Sequence, residues 1–287
     1  LEAGRLDSTE TLGSYLARNS YGEKFTHHYL AAMGSAIWSA DCATILDFPV
    51  CFFLRFFKNH GLLSVRDRPQ WRVIEGGSRE YLQPLCARFA ERIYTGNPVQ
   101  KVVRKPGRGV ILQMADGAQH HFEQVVFATH SDQALALLEQ PTPAERDILG
   151  SIPYQANDVV LHTDTLLLPR NQKTWSSWNY TLGARDEAAV VTYNMNILQG
   201  IEAPETFCVT LNNTQAINPH KILGRFSYDH PVFSLEGSAA QRRWDEINGA
   251  ADTWYCGAYW HNGFHEDGVV SALRVANAMC SRVRVAA

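Results

Sequence analysis

Hydrophobic positions recur at helix-like intervals through the first part of the chain. Leu12 and Leu16 begin this spacing, and its continuation predicts several helical pieces over residues 9–63. Thr9 is the expected N-cap of the first piece, Pro49 should interrupt the series, and the tripeptide NHG should end the last helix.

The next segments predict strands, tight turns and a short helix. WRVIEGGSREYLQPLCARFAERI has the pattern of a strand, a turn at Gly76 and Gly77, and a helix. NPVQKVVRK, GVILQMAD and GAQHHFEQVVFAT predict three strands joined by PGRG and DG turns. QVVFAT is continuously apolar, which is typical of a buried strand in a parallel or mixed sheet. Ser131 is the expected cap of the helix that follows.

The second half changes its periodicity twice. Between about residues 151 and 235, alternating segments such as NDVVLHTD and TFCVTLNN predict an antiparallel sheet. From Trp254 to Met279 an apolar strand leads through a loop to a helical segment, which we expect Gly268 to open. A strand, loop and helix in this order direct main-chain N–H groups at a negative or electron-rich ligand.

The order of these segments predicts an α/β (α+β) fold with interleaved domains. Strand–turn–helix segments at 71–137 and 237–287 should form one domain, with a Rossmann-like character. Residues 1–70 and 138–236 should form a second domain of helices and an antiparallel sheet.

Composition excludes some classes of function. The net charge is -3, with 26 basic and 29 acidic side chains, so no nucleic-acid-binding surface is expected. The six cysteines are scattered without a CxxC pair, which indicates free thiols in a reducing compartment. We see no signal peptide and no apolar stretch of about 20 residues, and we expect a cytoplasmic protein.

The longest apolar run, FPVCFFLRFF, has three interpretations. Residues 48–57 could form a buried helix, the wall of an apolar substrate channel, or a patch that contacts a membrane surface. The sequence alone leaves all three open.

Other motifs give little support for a metal site or a hydrolase. His261 and His265 lie four residues apart beside Glu266, but Asn262 and Gly263 between them favour a turn, so no metal site is expected. The chain has no G-x-S-x-G nucleophile motif. G-R-G at 107–109 lacks a third glycine and joins two strands.

Four segments together resemble a known family. WRVIEGGSREYLQPL, NPVQKVV, QVVFATHSDQALALL and WYCGAYWHNGFHEDGVVSALRVANA are similar, in this order, to landmarks of the flavin-containing amine oxidase and phytoene-desaturase superfamily. Within it, the chain most resembles bacterial NAD/FAD-binding oxidoreductases related to the N-terminal region of plant cyclopropane-fatty-acid synthases.

The resemblance implies which residues contact FAD. Those expected near the nucleotide are the glycines before the first FAD-domain helix, the Pro-Val strand start at the adenine, and the strand end at the diphosphate: Gly76, Gly77, Pro98, Val99, Ala128 and Thr129. Those expected near the flavin are Gly257, Gly268 and Val269, with Phe264 at one position of an aromatic cage. His265 and Glu266 are the candidates for proton handling.

Three features that the chain lacks shape the predicted function. The N-terminal G-x-G-x-x-G segment of the family has no counterpart here, so we expect a fragment with an incomplete FAD-binding domain that binds FAD weakly or not at all and is inactive alone. No cysteine matches the covalent flavin position, so FAD should be non-covalent. The second aromatic of an amine cage is not identifiable, which makes an amine substrate doubtful.

The predicted function is that of an FAD-dependent oxidoreductase transferring hydride from an apolar, acyl-type substrate to flavin. The alternative is a non-catalytic lipid-binding or scaffold module beside a fatty-acyl-modifying enzyme. The small-molecule or acyl-lipid substrate is the main expected partner. Peripheral membrane contact and self-association of the fragment stay open.

Overall fold

A computed structural model of the chain describes residues 7, 9–64, 66–67, 69–105, 107–181 and 190–286. The chain divides into two compact units. Unit 1 comprises residues 1–90 and 154–232, and unit 2 comprises 91–153 and 233–287. Each unit is therefore built from two separate stretches. The assignment of one domain to FAD and the other to substrate stays a prediction.

The helices are mostly short. Their bounds are α1 Leu12–Arg18, α2 Glu23–Phe25, α3 Ala32–Trp38, α4 Cys42–Leu46, α5 Val50–Asn59, α6 Leu82–Cys86, α7 Ser131–Leu137, α8 Pro143–Gly150, α9 Met195–Gln199, α10 Leu235–Gln241, α11 Trp244–Ile247 and α12 His265–Ala286. No helix in the described ranges combines the length and the apolar character that crossing a membrane requires.

The strands form three sheets. Their bounds are β1 Val99–Arg104, β2 Val110–Met114, β3 Gln119–Phe122, β4 Val125–Phe127, β5 Tyr154–His162, β6 Trp178–Thr181, β7 Val190–Asn194, β8 Cys208–Leu211, β9 Ile222–Pro231 and β10 Thr253–Tyr255. The sheet orders are β1-β2-β3, β10-β4 and β6-β7-β8-β5-β9.

The helical part of unit 1 follows the sequence prediction with one shift at its start. Thr9 is held in a turn by the Asp7 carboxylate, with its N–H 2.8 Å from Asp7 Oδ1. Thr11 caps α1 instead, accepting a hydrogen bond from the Ser14 N–H at 3.2 Å. Pro49 precedes α5, and this helix ends just before Gly61, which has a φ of +66°. The predicted break and stop are confirmed.

The apolar run 48–57 forms the core of this helical part. Phe48 and Phe53 are fully buried. The Trp38 ring lies 5.3 Å from that of Phe48 and 4.7 Å from that of Phe56, measured between centroids. The buried-helix interpretation therefore describes this run, since a channel wall or membrane patch would need these rings at a surface.

Unit 1 also contains the predicted antiparallel sheet, whose two faces differ in chemistry. On the buried polar face, the Asp164 N–H donates to His162 Nδ1 at 3.0 Å, so Nε2 carries the proton and donates to Thr210 Oγ1 at 2.8 Å. Thr192 Oγ1 lies 2.9 Å from Thr210 Oγ1. Burial lowers the pKa of His162, which keeps this histidine neutral.

Residues paired across an antiparallel sheet share a face, and the strand register defines the second face, here called the aromatic face. It contains Trp178, Tyr180, Val191, Tyr193, Val209, Leu211, Gln155, Asn157, Val159, Leu161, Gly224, Phe226, Tyr228 and His230. None of these is Asp, Glu, Lys or Arg. Burial raises the pKa of Tyr193 to about 12, so its phenol also stays neutral.

The segment 71–93 departs from its prediction. Residues 71–75 form no strand within the described structure, and the expected helix is divided into α6 and two 3₁₀ turns. A strand needs a partner for its main-chain groups, and the local pattern could not supply one. Pro84 lacks the N–H that a continuous helix from Ser78 would bond to the Glu80 carbonyl, and α6 begins only at Leu82. The turn itself is confirmed, with φ values of +78° at Gly76 and +94° at Gly77.

In unit 2 the predicted third strand becomes two strands in different sheets. β3 pairs with β2 in the antiparallel sheet, whereas β4 pairs with β10 in parallel. This confirms the parallel pairing of QVVFAT, but not its burial, since Phe127 is buried whereas Val126 is 41% exposed. The cap of α7 is His130, one residue before the expected Ser131. Ser131 is fully buried and its hydroxyl donates to the Ile152 carbonyl at 3.3 Å, so it fastens the loop instead.

Candidate functional site

The carboxyl ends of β4 and β10 lie side by side in unit 2. The register pairs Phe127 with Tyr255, and their rings stack at 5.4 Å with an angle of 7° between the planes. Ala128 and Thr129 follow one strand, and Gly257 follows the other, so the structure brings these three candidates to one sheet edge. Ligands of α/β proteins bind outside the carboxyl ends of parallel strands.

A buried ion pair holds β10 in place below this edge. The Glu145 carboxylate on α8 accepts hydrogen bonds from the Arg104 guanidinium on β1, at 2.5 and 3.0 Å, and from the Tyr255 hydroxyl at 2.7 Å. Burial would raise the pKa of Glu145, but hydrogen bonds from Arg104, the Thr142 N–H and Tyr255 outweigh it and lower that pKa. The carboxylate is therefore charged and ties three elements together.

Gly257 is required by the packing of the chain itself. A Cβ at this position would lie 2.4 Å from a ring carbon of Tyr259. The Gly257 N–H donates to Ser271 Oγ at 2.8 Å, and the Ser271 hydroxyl donates to the Gly268 carbonyl at 2.9 Å. The exit of β10 is thereby fastened to α12. Close approach of a ligand to Gly257 stays a prediction.

Helix α12 begins at His265, three residues before the predicted start at Gly268. The Gly268 N–H is already used within the helix, because it donates to the Phe264 carbonyl at 3.1 Å. Asp267 Oδ2 accepts from the Phe264 N–H at 3.0 Å. Acidic residues in a first turn are stabilised by the helix dipole. The HED sequence therefore indicates a helix start at His265, whereas the prediction relied on Gly268. The N–H groups of Glu266 and Asp267 precede the first helical hydrogen bond and have no acceptor within the helix.

The first turns of α12 leave an open, apolar surface. No heavy atom of the described chain comes within 4 Å of the position that a Gly268 Cβ would take. Val269, Val270 and Leu273 are exposed by 52%, 43% and 57%. An exposed apolar patch therefore begins directly after the first turn of α12, which carries the carboxylates of Glu266 and Asp267.

The remaining candidates are distributed over several elements. Pro98 precedes β1, where its carbonyl accepts from the Ala115 N–H at 3.0 Å, and Val99 is the first residue of that strand. Gly76 and Gly77 belong to unit 1. His265 and Glu266 are exposed on the first turn of α12. The roles of all these residues stay predictions.

Sequence reasoning missed the residues that fix the loop between β10 and α12. The Gln241 side chain on α10 donates to the Tyr259 and His261 carbonyls at 2.7 and 2.8 Å. Asn248 Oδ1 accepts from the Tyr255 N–H at 2.7 Å. No motif marks these amides, because their partners are main-chain atoms that only the fold brings close.

Comparison with protein families identifies the chain. Residues 5–196, more than half of its length, match the family described as flavin containing amine oxidoreductase. The chain belongs to this family. The match supports the resemblance seen in the sequence and the expectation of a flavin cofactor. The match ends at residue 196, before β8. For the segment from Trp254 onward, the resemblance to the family is therefore supported only by similarity to solved structures. A comparison with curated proteins finds no match.

Several solved structures share the fold. The conjugated-linoleic-acid-producing fatty acid isomerase from P. acnes has a TM-score of 0.65 at 14% identity, over 91% of this chain and 64% of the isomerase. Cyclohexylamine oxidase from Brevibacterium oxydans has a TM-score of 0.63 at 14% identity, over 96% and 68% of the two chains. Putrescine oxidase bound to putrescine has a TM-score of 0.64 at 11% identity, over 96% and 68%. The chain thus spans about two thirds of each, and the α/β fold with interleaved pieces is that of flavin amine oxidases.

Proposed function

We propose that the protein is an FAD-dependent oxidoreductase in which unit 2 binds the isoalloxazine end of FAD. The ring would lie at the carboxyl ends of β4 and β10, against the first turns of α12. The observation that carries this proposal is the space at Gly268. A glycine inside a helix costs roughly 0.5–1 kcal/mol relative to alanine, and no atom of the described chain needs the missing Cβ.

The chemistry of this surface fits a neutral aromatic ring. Val269 and Val270 supply apolar contact, and the N–H groups of Glu266 and Asp267 can donate to a ring oxygen. When bound, the flavin would accept a hydride from a substrate C–H bond. The residues of the chain would orient the ring and exclude water from its face. His265 and Glu266 would handle protons there.

The same surface fits a diphosphate poorly. The end of α7 is already capped, since the His130 N–H donates to Gln133 Oε1 at 3.2 Å. The end of α12 carries two carboxylates, Glu266 and Asp267, which repel an anion. We therefore propose that these 287 residues bind FAD non-covalently and weakly. The isoalloxazine ring would contact the first turns of α12, whereas the diphosphate would have no matching group at α7 or α12.

We propose an apolar, acyl-type substrate rather than a cationic amine. The aromatic face of unit 1 contains no carboxylate with which a cation could pair, and burial raises the pKa values of its Tyr180 and Tyr193 to about 12, so both phenols stay neutral. A buried cation without a counter-charge is costly. The fatty acid isomerase acts on a fatty acid and shares the fold, which agrees with this choice. At 14% identity it lends the fold alone.

Anaerobic spectroscopy tests both parts of the proposal. The purified chain is titrated with FAD and followed by flavin fluorescence, and the complex is then mixed with panels of fatty acyl compounds or primary amines. We expect weak, saturable binding of FAD by this chain alone, and bleaching of flavin absorbance by an acyl compound once a separately supplied G-x-G-x-x-G segment completes the FAD-binding domain.

Two outcomes would contradict the proposal. Bleaching by small amines alone would refute the acyl substrate. A chain that binds acyl lipids but no FAD, even when the G-x-G-x-x-G segment is supplied, would refute the oxidoreductase and favour the lipid-binding module.

A further inference from the structure

Strand β9 forms a long, uncovered edge of the unit 1 sheet. It has ten residues and, among the strands that the structure describes, pairs only with β5, on one side. The residues from Arg225 to Asp229 are all exposed. The Phe226 and Tyr228 rings are exposed by 46% and 52% and stack at 5.9 Å with an angle of 2° between the planes. Exposed edges of this length offer a template for another strand.

The hydrogen bonds of β5 show which main-chain groups of β9 point outward. The Asp158 N–H donates to Asn212 Oδ1, and the Asp158 carbonyl accepts from the Asn212 N–H. Both groups of Asp158 therefore point away from β9. Its partner Ser227 lies in a pair without mutual hydrogen bonds, and its own N–H and C=O point away from β5. By alternation, those of Arg225 and Asp229 do the same.

The side chains around Ser227 complement those of a second, antiparallel copy. Pairing two β9 strands about Ser227 sets Arg225 opposite Asp229 of the other copy, twice. It also sets Phe226 opposite Tyr228 of the other copy, twice, in the closely spaced pairs that lack hydrogen bonds. Within the described residues neither Arg225 nor Asp229 has an ion-pair partner. Charged side chains on an edge strand usually prevent pairing with a second copy. Arg225 and Asp229 instead lie opposite residues of the opposite charge in the second copy, and so favour pairing.

We propose that β9 is a homodimer interface that joins the five-stranded sheets of two copies into one continuous sheet. The pairing forms about six main-chain hydrogen bonds at Arg225, Ser227 and Asp229. Two ion pairs line one face of the joined strands, and a cluster of four aromatic rings lines the other. The two-fold axis passes between the two Ser227 residues, as closed symmetric dimers require.

Charge swaps at Arg225 and Asp229 test this register. Arg225→Asp and Asp229→Arg each place like charges opposite one another and should raise the dimer dissociation constant at least about tenfold. The double variant restores both ion pairs and should dimerise like the wild type. A mixture of the two single variants should form heterodimers, because the carboxylates of one face the guanidinium groups of the other.

Sedimentation velocity over a wide concentration range measures these states, with circular dichroism as a check on folding. Arg108→Asp changes the net charge by the same amount as Arg225→Asp, but at an exposed turn of unit 2. This variant should leave the dimer intact. A wild-type chain that stays monomeric throughout would overturn the proposal. An oligomer that persists in both single variants would overturn it as well, since the interface would then lie elsewhere, for example at β4 and β10.

Discussion

Replacing Glu145 by glutamine should destabilise unit 2 far more than an ordinary loss of surface charge. The Glu145 side chain is 1% exposed and that of Arg104 is 11% exposed. The glutamine oxygen can still accept from the Tyr255 hydroxyl, but its amide N–H₂ would face the donors of the guanidinium. Arg104 would then keep its positive charge in a largely buried site without a counter-charge.

The size of the effect follows from this arrangement. Removing one partner of a buried ion pair costs about 3–5 kcal/mol. Water can still reach part of Arg104, so we expect about 3 kcal/mol. Lys101 and Glu139 offer a matched control, because this pair also starts from β1 but is 45% and 38% exposed, at 3.6 Å. Glu139→Gln should cost at most about 1 kcal/mol.

The pH dependence gives a second, independent measure. The pKa of Glu145 is lowered in the folded protein, so the unfolded chain binds a proton more readily. Its stabilising contribution is complete above the unfolded glutamate pKa, about 4.3, and is lost as the pH falls through the lower folded pKa. Glu145→Gln should therefore flatten the loss of stability in acid.

Urea unfolding of wild type and both variants, at neutral pH and along an acid series, measures these quantities. Tryptophan fluorescence follows the unfolding of both units, and unit 2 contributes to it through Trp244, Trp254 and Trp260, which are buried. A Glu145→Gln variant within about 1 kcal/mol of Glu139→Gln would refute the reasoning. So would an acid profile that is unchanged by the substitution.

Three further predictions concern other parts of the chain. Gly268→Ala should raise the unfolding free energy by about 0.5–1 kcal/mol yet weaken FAD binding in a fluorescence titration, whereas Gly22→Ala, also at an open position, should leave FAD binding unchanged. Burial lowers the pKa of His162, so stability should fall as the pH drops below about 6.5, and less so in His162→Gln. Phe53→Ala should lower the unfolding free energy by about 3–5 kcal/mol in urea, and the exposed Arg55→Ala by about 0.5 kcal/mol or less. Small losses in both variants would instead indicate that residues 48–57 lie at a surface.

Local patterns determined much of this structure before any contact was considered. The helical spacing after Leu12, the stop at Gly61 and the apolar strand QVVFAT depend on side-chain period and on backbone freedom, which neighbours in the chain supply. The family follows from the order of such segments. These features could be predicted because their physics acts over a few residues.

Other features depend on partners that are distant in the sequence. The division of GAQHHFEQVVFAT into β3 and β4 is decided by which strand each half pairs with. The strand predicted at residues 71–75 does not form, since no described strand pairs with it.

The candidate site combines both kinds of information. The glycines of the site could be located from the sequence. The structure shows that Gly257 leaves room for the Tyr259 ring. It also shows that α12 starts at His265, with acidic residues in its first turn. The ion pair of Glu145 and Arg104 spans 41 residues, and the bond from Tyr255 to Glu145 spans 110. No period or motif encodes such separations. Only the tertiary structure removes these groups from water, and that loss of solvent makes their partners, pKa values and energies what they are.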